Sequence, residues 1–139
     1  VSQFLTKLIT EDIDGKYVRL MQDFRYYSSL LGCEIVVPKD FVCDFESVPV
    51  IRGSSKRGGC IHDYLCRIDA VPTVTKSQAA TLYREVMKER DKEFPLSQSW
   101  LYRAKMLCAR WIKSTVVRFA WGYWHRLKVT ASYEEVKKS

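Results

Sequence analysis

The order of apolar and polar positions divides the chain into a β-rich start and a helical remainder. Gln3 to Thr10 and Tyr17 to Tyr27 are rich in β-branched and aromatic residues, and they flank Glu11-Asp12-Ile13-Asp14-Gly15-Lys16. The Asp-Gly step in that segment favours a hairpin turn, so the first third reads as strands. Leu30 to Val37 adds another short strand, Cys33-Glu34-Ile35-Val36-Val37, closed by Pro38, which has no N–H to give to a ladder. Asp40 to Ile51 reads as irregular, with Pro49 confining Val48 to extended conformations. Arg52 to Gly59 reads as a flexible, basic, solvated linker. Its backbone N–H groups are suited to an anion, but it lacks the spacing of a phosphate loop.

After Gly59 the period changes. Cys60 to Ile68 is expected to form a helix that buries Ile61, Tyr64, Leu65 and Ile68, with His62 and Asp63 beside that stripe. Pro72 breaks the chain, and Thr75 is placed to cap a second helix from Lys76 to about Glu89 that turns Ala79, Leu82, Tyr83, Val86 and Met87 inward. Lys88 to Glu93 mixes charges as a solvated end does. A third helical stretch runs from Ser97 to about Leu127, bending at Gly122, with Leu101, Ala104, Cys108, Trp111 and Ile112 on one face expected to enter the core. Phe119 to Trp124 is apolar nearly all round, which points to burial against the sheet or against another chain. Residues 129–139 read as a short polar tail. The expectation is one α+β domain over 1–139: a small N-terminal antiparallel sheet followed by three or four helices.

Composition agrees with a folded chain: 139 residues, 47% hydrophobic and 28% charged, enough for a single domain with a real core. No stretch approaches the ~18 apolar residues of a membrane span, and Val1 to Thr10 does not resemble a signal peptide. The five cysteines, Cys33, Cys43, Cys60, Cys66 and Cys108, are odd in number, so reduced thiols are expected over a complete disulfide set. Without a C-x-x-C, and with Cys60 and Cys66 well apart around a helix, Cys43, Cys60, His62 and Cys66 make a poor zinc site.

Charge changes the picture for the last third. Between Phe94 and Tyr133 there is no Asp or Glu, while Arg103, Lys105, Arg110, Lys113, Arg118, Arg126 and Lys128 supply seven positive charges, equal to the net charge of +7. All four tryptophans lie there too. Such a segment suits an anionic lipid surface, a nucleic-acid backbone or a protein partner, with Arg103, Arg110, Arg118, Trp121, Trp124 and Arg126 as its binding residues. The alternative is ordinary packing with a solvated basic rim.

The candidate chemistry is the adjacent pair His62-Asp63. Neighbours on a helix point about 100° apart, so the two divide labour: His62 as a general base on water, Asp63 holding a cation or orienting a neighbour. The competing reading is structural, since a working base needs convergent partners.

Val37-Pro38-Lys39-Asp40-Phe41-Val42-Cys43-Asp44-Phe45-Glu46-Ser47-Val48-Pro49, then Ile61-His62-Asp63-Tyr64-Leu65, then a helix ending Val86-Met87, resembles a phage and prophage family catalogued as domain of unknown function 1353. That family's pattern runs V-P-x-G-F-x-T-D-x-A-S-x-P, then H-D-x-L-Y, then A-D-x-x-F-x-x-x-M. Its His-Asp helix is in turn similar to that of phospholipases A2, which implies His62 as base, Asp63 as a calcium ligand and an orienting Asp on the next helix. This chain departs from the pattern there, with Ala79-Ala80 in place of Ala-Asp and Cys66 in place of Tyr. It also has Asp40 for Gly, Cys43 for Thr and Glu46 for Ala, while Asp44, Ser47 and Pro49 keep the first motif.

The resemblance therefore implies a phage-encoded virion or tail-associated protein, assembled in the host cytoplasm, with a degenerate hydrolase-like centre and other phage structural proteins as partners. No cofactor is expected on that reading, and homo-oligomerisation is left open. The enzymatic alternative is a calcium-dependent hydrolase of lipid or cell-envelope material, with Asp63 and Asp44 on the metal. Nucleic-acid binding through the basic helices is the third reading.

Overall fold

The computed structural model describes residues 1–43, 56–92, 100–120 and 127–138. The architecture is α+β, and the β-rich start folds as two three-stranded antiparallel sheets rather than one. The first has the order β1 (Gln3–Phe4), β4 (Phe24–Ser28), β5 (Cys33–Val37); the second has β2 (Thr10–Asp12), β3 (Val18–Leu20), β6 (Val42–Cys43). Four helices follow: α1 (Lys56–Leu65), α2 (Lys76–Asp91), α3 (Trp100–Ala120) and α4 (Tyr133–Lys138).

The turn between β2 and β3 forms where Asp14-Gly15 predicts it, with Gly15 at φ 87°, a conformation without cost for glycine. The Asp14 carboxylate accepts from the N–H groups of Lys16 and Tyr17 at 3.0 and 2.9 Å. It also accepts from the Tyr133 hydroxyl at the far end of the chain. That hydroxyl, then the two N–H groups, hold the Asp14 carboxyl down at about 2. In β4 and β5 the alternation is clean: Phe24 and Tyr26 pair with Val37 and Ile35, and all four side chains are buried.

Between the sheets, Asp40 takes φ 71°, the left-handed region that glycine enters freely and aspartate better than most other residues. The resembled motif has glycine at this position, and the backbone supplies the reason. The turn returns the chain to Leu20, whose N–H donates to the Phe41 carbonyl at 3.0 Å and whose carbonyl accepts from the Asp40 N–H at 2.9 Å.

The helical part corrects several expectations. α1 begins at Lys56, inside the stretch expected to be a flexible linker, and Gly58 and Gly59 are buried. It ends at Leu65, so Ile68 lies beyond it and is 56% exposed rather than in the core. α2 matches its expected span and register: Thr75 forms a reciprocal capping box with Gln78, and Ala79, Leu82, Tyr83, Val86 and Met87 are all buried.

α3 is helical as expected, but it turns the other way. Leu101, Ala104, Cys108, Trp111 and Ile112 are exposed, and Lys113 and Ser114 are buried instead. A 3.6-residue period reveals that one face is apolar without saying what that face meets. Leu127 is outside any helix. The expected polar tail contains α4, whose Val136 packs with Ala131 and Val42, with Tyr17 and Tyr133 alongside. The bend at Gly122 and most of the Phe119–Trp124 cluster lie outside the described residues.

One close approach fixes α1 against α2. A Cβ placed on Gly58 would meet the Tyr83 ring at 3.0 Å and Met87 at 3.5 Å. Gly58→Val is expected to destabilise the fold by about 1–3 kcal/mol through overpacking. Urea unfolding followed by circular dichroism checks this, and an unchanged midpoint would mean that α1 and α2 are not in this contact.

Candidate functional site

His62 and Asp63 fall in a helix that is buried all round. From Gly58 to Leu65 every residue of α1 is buried, His62 at 2% and Asp63 at 5% exposure. The two do not flank a buried stripe; they are part of the core. The Tyr83 ring from α2 lies against the imidazole, with centroids 5.3 Å apart and planes tilted by 36°. One turn on, the Cys66 sulfur stands 3.6 Å from Nδ1 and 3.9 Å from Nε2 of His62. Cys66 occupies the position where the resembled motif has tyrosine, so the i, i+4 geometry of the helix puts a thiol beside the histidine. That spacing is readable in the sequence, where His62 and Cys66 stand together only as candidate zinc ligands.

Burial sets the electrostatics. Loss of water, and secondarily the nearby Lys76 ammonium, holds the imidazole down at about 3, so His62 is neutral throughout the physiological range. Burial, and then the Asp63 charge, pushes the Cys66 thiol well above its ordinary value, which keeps it protonated. A base this weak is poorly matched to proton abstraction near neutrality, where catalytic bases are tuned close to the working pH.

Ala80, at the place of the resembled family's orienting Asp, is fully buried on α2. A methyl group there cannot accept from an imidazole N–H as the family's carboxylate would. Asp63 is the described half of the expected calcium pair; Asp44, with Ser47 and Pro49, lies outside the described residues. Among the described residues no three His, Cys, Asp or Glu side chains converge to hold a metal. None of the five cysteines is in a disulfide: Cys43, Cys60 and Cys66 are buried, Cys33 is half-buried and Cys108 is exposed.

Sequence reasoning passed over two polar groups that organise the surroundings. Arg67, 5% exposed, donates from Nη2 to the Val42 carbonyl at 3.0 Å and from Nη1 to the Lys128 carbonyl at 3.4 Å, with its guanidinium 4.8 Å from the centre of the Phe41 ring. Glu85 on α2 accepts from the hydroxyls of Ser2, Tyr26 and Ser28, tying the first sheet to the helix. Tyr64 contributes a third tie: its hydroxyl donates to the Val71 carbonyl at 3.2 Å and accepts from the Val71 N–H at 3.1 Å. Nothing local in the sequence marks Arg67 as buried or Glu85 as an acceptor from three hydroxyls, because their contacts come from residues 25 to 83 positions away.

Of the expected binding residues, Arg110 is half-buried on α3. Arg103 and Arg118 lie on the same helix, their side chains outside the described set, and Trp121, Trp124 and Arg126 fall outside the described residues. Among the described residues no helix is long and apolar enough to cross a membrane.

The chain matches the model of the family described as protein of unknown function (DUF1353) over residues 18–104, from β3 through the His-Asp helix and α2 into α3, and it belongs to that family. No curated protein and no solved structure matches it.

A neutral buried histidine makes acid destabilising. The unfolded chain binds a proton on His62 below about 6.5 and the folded chain only near 3, so stability falls as the pH drops from 6.5 towards 3 and this contribution is level below that. His62→Gln is expected to flatten that part of the stability–pH curve, by up to about 1.4 kcal/mol per pH unit. Urea unfolding of both proteins between these pH values is the check; parallel curves would place the imidazole in contact with water.

Proposed function

We propose that this chain is a phage-encoded structural and interaction protein, associated with the virion or its tail and assembled in the host cytoplasm. On this reading the His62–Asp63 centre is a packed part of the scaffold and carries no turnover. The observation that supports it most is the burial of the pair inside α1, with Cys66 and Tyr83 against the imidazole. A hydrolytic centre needs room for substrate and water beside its base, and a catalytic histidine is commonly oriented by a carboxylate. Ala80 stands where the resembled family's partner would be. The phage setting and the virion role follow from the family resemblance. On this reading the attachment surface is α3, whose described cations include the exposed Lys105 and the half-buried Arg110, with Lys113 turned inward.

The experiment that tests this compares wild type, His62→Ala and Asp63→Asn for hydrolysis of phospholipid and of peptidoglycan, with and without calcium. Wild type is expected to be inert in every condition, while His62→Ala unfolds more easily by about 1–3 kcal/mol, the cost of a cavity in place of a packed ring. Calcium-dependent hydrolysis by wild type that both variants lose would overturn the reading in favour of an enzyme.

A further inference from the structure

The outward side of α3 is apolar. At about 100° per residue, Leu101, Ala104, Leu107, Cys108, Trp111 and Ile112 fall within an arc of roughly 140°. All six are exposed, Leu101 at 64% and Trp111 at 54%. The neighbouring positions Lys113 and Ser114 are turned inward and buried. Lys105 is exposed at the rim of the arc, and the Arg84 guanidinium from α2 stands 4.0 Å from the centre of the Trp111 ring.

We propose that this face of α3 lies on an anionic lipid bilayer. The inference rests on the reading of α3 as the attachment surface and names what it attaches to. Charge selects the sign of the partner: no carboxylate lies between Phe94 and Tyr133, and besides the buried Lys113 the stretch holds six cations, of which Lys105 is exposed beside the arc; this favours an anionic surface and opposes a second copy, in which two such helices would face each other. Shape selects the kind of partner. A nucleic-acid backbone rewards the cations but leaves the apolar arc in water, and a coiled-coil partner covers a narrower seam than this one. A bilayer accepts the whole arc, as the helix sinks its apolar side to the level of the acyl chains while Lys105 at its rim remains at the headgroups. The Trp111–Arg84 pair, an aromatic ring beside a cation, suits that boundary. α3 would lie along the surface and not cross it.

The test is co-sedimentation of the full chain with phosphatidylcholine vesicles, with and without about 30% phosphatidylserine. The anionic vesicles are expected to bind at least about tenfold more tightly than the neutral ones, with most of that advantage lost at about 0.5 M salt. The double variant Leu101→Glu/Ile112→Glu alters two exposed positions, so its circular dichroism and melting should match wild type while its vesicle binding falls by about tenfold or more. Absence of binding to anionic vesicles, or equal binding by the double variant, overturns the proposal. So does a wild type that ignores vesicles but self-associates, or binds an acidic amphipathic peptide, through the same two residues. Either of those last results keeps α3 as an attachment surface. Hydrolysis in the His62 and Asp63 comparison would instead remove the non-enzymatic reading and leave the vesicle result standing.

Discussion

The rest of the structure depends on the burial of α1. A ten-residue helix containing two glycines, a histidine, an aspartate and a cysteine is a poor candidate for a core, because each of its polar groups loses water on burial. It is held there by what surrounds it. Tyr64 ties its far end to the Val71 backbone, Arg67 just beyond it reaches the Val42 and Lys128 carbonyls, and the Tyr83 ring closes over His62. Gly58 allows α2 to come so close that a side chain at that position has no room. The sheets, α2 and the C-terminal segment are thus packed around a helix that contributes little stability through its own propensity.

On the proposed non-enzymatic reading, the same burial explains how a His-Asp motif can stand without the chemistry it suggests. Burial places the imidazole firmly, but it also removes the water and the charge balance a base requires. Cys66 and Ala80 fit that environment better than the tyrosine and aspartate of the family pattern would serve here: a protonated thiol and a methyl group need little solvation, whereas a buried carboxylate needs a cation or several donors.

What was legible in the sequence was what is local. The Asp14-Gly15 turn, the alternation in β4 and β5, and the capping box and inward face of α2 all depend on residues within a few positions of one another, and the structure has them as expected. The early start of α1 was not legible, because Gly58-Gly59 has low helix propensity and the helix exists there through packing against Tyr83 and Met87. The rotation of α3 was not legible either, since periodicity carries no information about the partner of a face. α4 was hidden for a third reason. Its fixing contacts, Tyr133 to Asp14 and Val136 to Val42, join parts of the chain about a hundred residues apart, which no window of sequence contains. For the candidate site, the pair His62-Asp63 and the loss at Ala80 were legible; the depth of burial was not.

The segment that follows α3 is sewn back to the loop after α1: the Ile68 N–H donates to the Leu127 carbonyl at 2.7 Å, and the Val129 N–H donates to the Asp69 carboxylate at 2.7 Å. With Arg67 on the Lys128 carbonyl, three consecutive residues are held by three consecutive residues. The chain beyond α3 is therefore riveted at residues 127–129 to the middle of the molecule. A pull on those residues is shared by three bonds at once, and the tension ends at the arginine strut just past the buried helix.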